Sequence, residues 1–252
     1  MFENAVLSVF GLVFVVAGAI TMYHGYGERA EGEVIAETET TAVRDLTPGP
    51  AEVKGTVRPA EDATATEAPI SATEALAVSV EVEEQQDGSW NTIFTDEWAE
   101  SLLVDDGTGE VPVDLSSAGE LDLRGTETEV GVDDEPPAAV RRYVETESDL
   151  ELPDRRSMGP VSVGERRRYT EGVLEPGDDG YVLGAVRETA AGWDRADYVI
   201  DEPTESGEFV LSNRPERELI DERTQSGLVS LAFGCFLALV GTAVAVVPWV
   251  PV

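Results

Sequence analysis

Residues 5–23 read AVLSVFGLVFVVAGAITMY and residues 227–247 read GLVSLAFGCFLALVGTAVAVV, and neither stretch carries a charge. The hydrocarbon core of a bilayer is about 30 Å thick, and a helix crosses it with about 20 apolar residues. A helix also pairs its own backbone polar groups, as lipid requires. The sequence therefore predicts two transmembrane helices, at residues 5–23 and 226–247, in a two-span protein of the cell membrane whose first partner is the lipid bilayer.

A cleaved signal peptide is the alternative for the first of these stretches. Signal peptides begin with basic residues and have an apolar run of about 7–15 residues. This chain begins Met-Phe-Glu-Asn, with Glu3 at the place of the basic residues, and its apolar run is longer. We therefore expect the first helix to be retained as an anchor.

The region between the anchors is strongly acidic. The chain has 51 Asp and Glu against 17 Lys and Arg, a formal net charge of −34, and Lys54 is its single lysine. Such a charge repels itself in dilute salt, whereas at molar salt the Debye length falls to about 3 Å. The composition predicts a salt-adapted, haloarchaeal source. It argues against nucleic acid as a partner, because nucleic acid requires a basic surface.

Cysteine and histidine are too few for many kinds of site. Cys235 and His24 are the single residues of their types, so we expect no disulfide, no metal site and no Ser–His or Cys–His pair. The carboxylate pairs Asp105/Asp106 and Asp178/Asp179 are the candidates for an enzyme, but adjacent aspartates in turns are usually solvated. The sequence therefore predicts no catalytic residue and no cofactor.

Period-2 patterns predict a β-rich domain. LAVSVEVEE at residues 76–84 alternates apolar and polar side chains, and ESLLVDDGTGEVPVDL at residues 100–115 is typical of a hairpin with a tight turn. A short helix is expected after Pro136 and Pro137. We predict a mainly β fold of about seven strands, best described as a small, partly open OB-like barrel with one inserted short helix, flanked by the two transmembrane helices.

The predicted layout divides the chain into six segments. They are a tail at 1–4, the first transmembrane helix at 5–23, a stalk or first strand at 24–50, the acidic β domain at 51–225, the second transmembrane helix at 226–247 and a tail at 248–252. The Arg166–Arg168 cluster lies inside the acidic domain. We expect it to pair with carboxylates there rather than with lipid headgroups.

Small residues recur on both anchors and are candidates for helix packing. Small faces let helices approach closely, so the two anchors are expected to pack on each other or to form a homo-oligomer. The alternative is that glycine is simply frequent in membrane helices. The candidate packing residues are Gly11, Gly18, Ser230, Gly234, Ala238 and Gly241.

Four runs together resemble a known family. They begin with VKGTV at residue 53, LLVDDGTGEVPVDL at 102, RRYTEGVLEPGDDGYVLGAV at 167 and FVLSNRPERELIDER at 209. Their order is similar to that of the GIDE domain, the "beside a membrane" module of the mitochondrial ubiquitin ligases called MULAN. The resemblance implies a domain between two transmembrane helices and, by transfer, an E3 ubiquitin ligase.

The chain departs from that family in two ways. The ligases carry a zinc-binding RING finger after the second helix, and none is expected here. Some relatives have a Gly and a Cys after a Pro-hydrophobic-Ser step, where this chain has Ala72 and Ala75. We therefore do not expect the ligase activity, or a redox role for that Cys, to transfer.

The sequence favours a membrane-anchored, non-catalytic binding or scaffolding protein whose partner is a protein or peptide. An exposed strand edge of the barrel is the expected docking place. The alternatives are a participant in a ubiquitin-ligase-like system and an OB module for nucleic acid, which the charge disfavours. Arginines near the helices favour a cytoplasmic domain, whereas the relatives place it away from the cytosol, so the side of the membrane stays open.

Overall fold

The computed structural model describes residues 2–61, 63–115, 120–147, 150, 156–158, 161–163, 165–189, 198–203 and 208–246. The chain divides into two compact units, which are Met1–Thr38 with Pro215–Val252, and Glu39–Arg214. The first unit holds the two long apolar helices and the second holds the strands. The helices are α1 (Phe2–Glu37), α2 (Ala138–Thr146) and α3 (Glu216–Val246).

Two terminal helices are long and apolar enough to cross a membrane. The qualifying segments are Leu7–Ala30 of α1 and Glu216–Val246 of α3, and in each of them only 11% of an apolar stretch of 18 residues is buried. Their outward side chains include Phe10, Phe233 and Leu239, which are 55–72% exposed. This low burial differs from that of a core helix in a soluble protein. The expectation of two long apolar helices around a β-rich region is therefore confirmed.

The first helix extends further than the sequence indicated. The strand alternative expected from residue 24 onward is wrong as far as Glu37, because α1 is continuous to that residue, whereas the stalk alternative stays a prediction. Within residues 28–37, six of the ten residues are the good helix formers Ala and Glu. Arg29 Nε also lies 3.0 Å from Glu33 Oε1 one turn later, a spacing that favours a helix over a strand. A 3₁₀ turn at Val43–Asp45 then leads to the first strand.

The second unit contains many short strands. They are β1 (Gly49–Pro59), β2 (Thr66–Glu67), β3 (Glu74–Ala75), β4 (Ala77–Gln86), β5 (Ser89–Ala99), β6 (Leu102–Asp105), β7 (Glu110–Val113), β8 (Glu120–Asp122), β9 (Gly125–Val130), β10 (Arg156–Met158), β11 (Val161–Val163), β12 (Arg167–Leu174), β13 (Asp179–Glu188), β14 (Tyr198–Asp201) and β15 (Val210–Ser212). The expected seven strands undercount them.

Five of these strands close into a barrel in the order β1, β6, β7, β14 and β13, with β13 pairing back onto β1. The barrel is thus closed, and the expectation of a partly open one is wrong. β1 makes the closure, because Gly49–Thr56 pair with β13 while Thr56–Pro59 pair with β6. A Cβ on Gly55 would lie 2.4 Å from the Asp105 carbonyl oxygen, so only glycine fits where β1 changes partner.

The barrel has its own core of aliphatic side chains. These residues come from all five barrel strands and from the segments that flank them, and each is no more than 9% exposed. Outside the barrel, β13 also pairs with β15, and β15 runs parallel to β8. Representative core residues are Val53, Val57, Leu102, Val104, Val113, Val182 and Ile200.

A second sheet has the antiparallel order β5, β4, β12 and β9. Its inner face buries Val78, Val80, Val82 and Tyr169 against α2, which supplies Val140 and other side chains. α2 begins directly after Pro137 and is the inserted short helix that the sequence predicted. The period-2 pattern of residues 76–84 therefore predicted a strand correctly. The sequence did not predict that this strand belongs to a second sheet outside the barrel.

Candidate functional site

The aspartates of the barrel hairpin hold its turn together. Asp106 accepts hydrogen bonds from the backbone N–H groups of Val43, Thr108 and Gly109 at 2.9, 2.8 and 3.2 Å. Asp105 accepts one from Gly107 at 2.8 Å. Burial raises the pKa of Asp106, but these hydrogen bonds outweigh it and leave the pKa below its ordinary value. Both carboxylates therefore act as turn residues.

We expect Asp106→Ala to lower the free energy of unfolding by about 1–2 kcal/mol, as the loss of a capping carboxylate does elsewhere. The pKa of Asp106 is lower in the folded protein than in the unfolded chain. Asp106 therefore stabilises the fold at pH values above its unfolded-state pKa, and this stabilisation is lost as the pH falls through its folded-state pKa. Denaturant titrations of both proteins at pH 7 and near pH 3 measure this difference. A difference that stays constant over that range would contradict the assignment.

The second carboxylate pair is also used by a turn. Asp178 accepts a hydrogen bond from the Glu175 N–H at 3.0 Å, and Asp179 is the first residue of β13. Among the residues that the structure describes, no group of three His, Cys, Asp or Glu side chains comes together as a metal site would require.

A buried carboxylate that sequence reasoning missed lies in β1. Glu52 is fully buried and accepts hydrogen bonds from Tyr181 Oη at 3.0 Å and from Thr40 Oγ1 at 2.5 Å. Lys54 Nζ lies 2.8 Å from Glu52 Oε1. The backbone N–H of Thr41 also donates to the Glu52 carbonyl. This cluster attaches the segment before β1 to the barrel, so its role is structural.

The arginine cluster pairs with carboxylates, as expected. Arg168 lies 3.3 Å from Glu83 and 3.2 Å from Glu127, with its guanidinium 4.2 Å above the ring of Trp90. Arg166 pairs with Glu129 on the same outer face of the second sheet. Arg167 points to the inner face. There it makes a buried ion pair with the carboxylate of Glu84.

The loop between β2 and β3 is held by another buried carboxylate. Glu171 accepts hydrogen bonds from the backbone N–H groups of Ile70 and Ser71 at 2.7 and 2.8 Å. Ala72 follows with a φ of +58°, in the left-handed region that favours glycine. The backbone geometry at residue 72 therefore favours glycine over the alanine that is present.

Ala72→Gly should raise the free energy of unfolding by about 0.5–1 kcal/mol, because an alanine in the left-handed region is strained by about 1–2 kcal/mol and glycine is not. Urea titration measures the change. Ala139→Gly in α2 is the matched control and should lower stability by about 1 kcal/mol. Equal signs for the two changes would contradict this reading of the loop.

The longest strand at an edge of either sheet is β5. It has 11 residues, and in the described part of the chain it pairs only with β4. Ile93 is an extra residue at a bulge, where the register shifts between Val82 and Glu83, and it is 40% exposed. Proteins protect such edges with Lys or Pro, which β5 lacks, and also with bulges and inward-pointing charges, which β5 has at Ile93 and Asp96. Within the described residues no strand pairs with the outer edge of β5.

The inner side of this edge has an apolar and acidic row. Phe94, Asp96 and Trp98 lie opposite Val82, Val80 and Val78 of β4. Phe94 packs edge-to-face on Tyr143 of α2 with 6.4 Å between ring centroids, and Tyr143 Oη donates to Asp96 Oδ2 at 3.5 Å. Burial, followed by the charge of Asp96, raises the pKa of Tyr143 well above its ordinary value.

In the helical unit, the predicted small residues lie together where α1 and α3 meet. Gly11 lies against Gly241, and Gly18 lies against Gly234 and Ala238. A Cβ on any of these glycines would come within 2.5–2.8 Å of the facing backbone. Ser230 lies against Gly25 in the same way. The order of these pairs makes the helices antiparallel, and the seven-residue spacing is typical of left-handed packing.

Comparison with known proteins gives one match. No curated protein and no solved structure matches the chain significantly. The family model of the GIDE domain, described as E3 ubiquitin ligase, matches residues 81–246. The matched region begins in β4 and continues through β5, the barrel strands other than β1, and α3. The chain therefore belongs to the GIDE family.

Proposed function

We propose that this protein is a two-span protein of the cell membrane that holds a non-catalytic binding domain beside the bilayer, where the domain binds or scaffolds a protein or peptide. The apolar helix pair supports the membrane part of the proposal. The two units join in the chain at Thr38/Glu39 and Arg214/Pro215, so the domain is tethered at both of its ends.

The open edge of β5 is the observation that carries the binding proposal. A closed barrel has no free edge, so an exposed barrel edge, which the sequence predicted as the docking place, does not form. We therefore assign docking to the edge of the second sheet. Edge strands bind extended segments through backbone hydrogen bonds. By contrast, the carboxylate pairs that an enzyme would need already accept hydrogen bonds from turns.

The family description favours a second candidate, a participant in a ubiquitin-ligase-like system. In that system we propose that this chain, whose sequence contains one cysteine and one histidine, recruits a partner that supplies the transfer chemistry. A nucleic-acid role for the barrel, which we take to be OB-like, is disfavoured by the net charge of −34. That charge supports adaptation to molar salt in a haloarchaeal source.

Proximity labelling in living cells tests the proposal. The labelling enzyme is fused to the full chain and to a variant in which residues 39–214 are replaced by an unrelated domain of similar size, with both helices kept. We expect the full chain to label a set of membrane-side proteins that the replacement variant does not. Identical sets would contradict a binding domain, because the helices alone would then determine the neighbours.

A further inference from the structure

We propose that β5 binds an extended basic segment, in which a lysine or arginine lies between two apolar residues at alternate positions. The inference rests on the proposed function and specifies the chemistry of the partner. The segment would add as a fifth strand beside β5, with its apolar–basic–apolar row on the inner side. That row would then lie opposite Phe94, Asp96 and Trp98.

The state of the acidic side chains selects this edge. Without crossing the bulge at Ile93, a strand that adds to β5 can pair along the six residues Phe94–Ala99, and the opposite edge, β9, also offers six. However, the acidic side chains of β9 are already engaged, because Glu127 pairs with Arg168 and Glu129 pairs with Arg166. An incoming basic segment therefore gains more at β5 than at β9.

Side-chain alternation defines the order of the partner's residues. Neighbouring strands place directly opposite side chains on the same face, and aromatic–aliphatic and opposite-charge pairs stabilise such contacts. Phe94 and Trp98 are only partly buried, so each has surface left for an aliphatic side chain. Asp96 lies between them on the same face and is matched by a cation.

Three carboxylates, of which Asp96 is one, lie around the Tyr143 hydroxyl, although α2 itself also carries Arg141 and Arg142. The carboxylates of Asp96, Glu147 and Glu171 all act on the Tyr143 hydroxyl and raise the pKa of Tyr143. Glu171 is occupied by the backbone of Ile70 and Ser71. On α2, the guanidinium of Arg141 pairs with Glu135. β5 itself contains two acids, Asp96 and Glu97, and no base, so this rim attracts a cationic segment.

A labelled peptide, Thr-Val-Thr-Lys-Thr-Val-Thr, tests the inference by fluorescence anisotropy with the full chain in detergent at one fixed salt concentration. We expect the peptide with Glu in place of Lys to bind about two- to fivefold more weakly. A peptide N-methylated along one edge should bind at least about tenfold more weakly, because it loses two or more backbone hydrogen bonds. Equal binding of the three peptides would overturn the proposal.

Charge reversal on the protein gives the sharper comparison. Asp96→Arg should reverse the preference, so that the Glu peptide binds more tightly than the Lys peptide. Glu127→Arg on the opposite edge is the control and should leave the preference unchanged. If Asp96→Arg does not fold, Asp96→Asn should remove the preference without reversing it.

An unchanged preference in the folded Asp96 variants, or reversal by Glu127→Arg, would overturn the assignment to β5. If no peptide binds while the replacement experiment still shows domain-dependent neighbours, this inference fails and the proposed function stands.

Discussion

Arg167→Met is expected to lower the free energy of unfolding by about 3–5 kcal/mol, as the loss of one partner of a buried ion pair does in other proteins. Arg167 donates from Nε and Nη2 to Glu84 Oε2 at 3.1 and 3.0 Å, and the two side chains are 10% and 8% exposed. The variant leaves the Glu84 carboxylate buried without its counter-ion. Chemical denaturation at pH 7 measures the change.

The same variant should change how stability depends on pH. Burial raises the pKa of Glu84, but hydrogen bonds from Gln86 and Arg167 outweigh it, so the folded pKa lies below the ordinary value of 4.5. In the wild type the Glu84 carboxylate therefore stabilises the fold at pH values above its unfolded-state pKa. This stabilisation is lost as the pH falls through its folded-state pKa. Without Arg167 the folded pKa rises. The deficit of Arg167→Met should thus be largest at neutral pH and smaller near pH 4.

Two controls separate the buried pair from a general effect of arginine. Arg44→Met removes a pair in which both side chains are about two-thirds exposed, and it should change stability by no more than about 0.5 kcal/mol. Adding Glu84→Leu to Arg167→Met should recover most of the loss, because no unpaired charge then remains. Equal effects of Arg44→Met and Arg167→Met would show that the buried pair has no special role.

The second large effect is expected in the helix pair. Gly234→Leu should weaken the packing of α3 on α1 by about 3 kcal/mol, which is the upper end for an overpacked contact. The Cβ of the new side chain would lie 2.7 Å from the Gly18 carbonyl oxygen and 2.8 Å from the Met22 nitrogen. These are backbone atoms, which cannot rotate away. The helices must therefore separate at this level.

Oxidative cross-linking in membranes measures that separation. Cys235 Sγ lies 3.9 Å from Met22 Sδ, so the two side chains are neighbours, and Met22→Cys is expected to cross-link to Cys235 within one chain on oxidation or with a short thiol-reactive linker. We expect Gly234→Leu to suppress this cross-link strongly. Ala232→Leu is the matched control, because it adds the same side chain at an exposed position of α3 and should leave the cross-link intact. Equal cross-linking in both variants would contradict glycine-mediated contact.

Local patterns in the sequence predicted the local structure well. The apolar ends of the chain gave the long helices, the pair Pro136–Pro137 preceded α2, and Asp-Asp-Gly-Thr-Gly formed the predicted hairpin turn between β6 and β7. Each of these depends on residues close together in the chain. The extension of α1 is the exception. The alternation of Glu and apolar residues after residue 27 was interpreted as a possible strand, but Glu and Ala are good helix formers and the same stretch forms a helix.

Non-local features were not predictable in the same way. Barrel closure depends on β1 pairing with β13 more than 120 residues later, and the only local signal was the close-approach position of Gly55. The second sheet requires β4 to meet β12, which a period-2 pattern does not specify. Glu52 and Glu171 look like solvent-facing strand residues in a very acidic sequence. Their burial follows from partners elsewhere in the fold, Tyr181 and the backbone of Ile70.

The two-span arrangement is the central claim, and cysteine accessibility tests it most directly. Single cysteines are placed at Asn4, Thr92 or Pro251 in a Cys235→Ser background, and sealed vesicles are treated with a membrane-impermeant maleimide. We predict that Asn4→Cys and Pro251→Cys react alike and that Thr92→Cys, in β5, shows the opposite accessibility. Reaction of all three cysteines from the same side would contradict a chain that crosses the membrane twice.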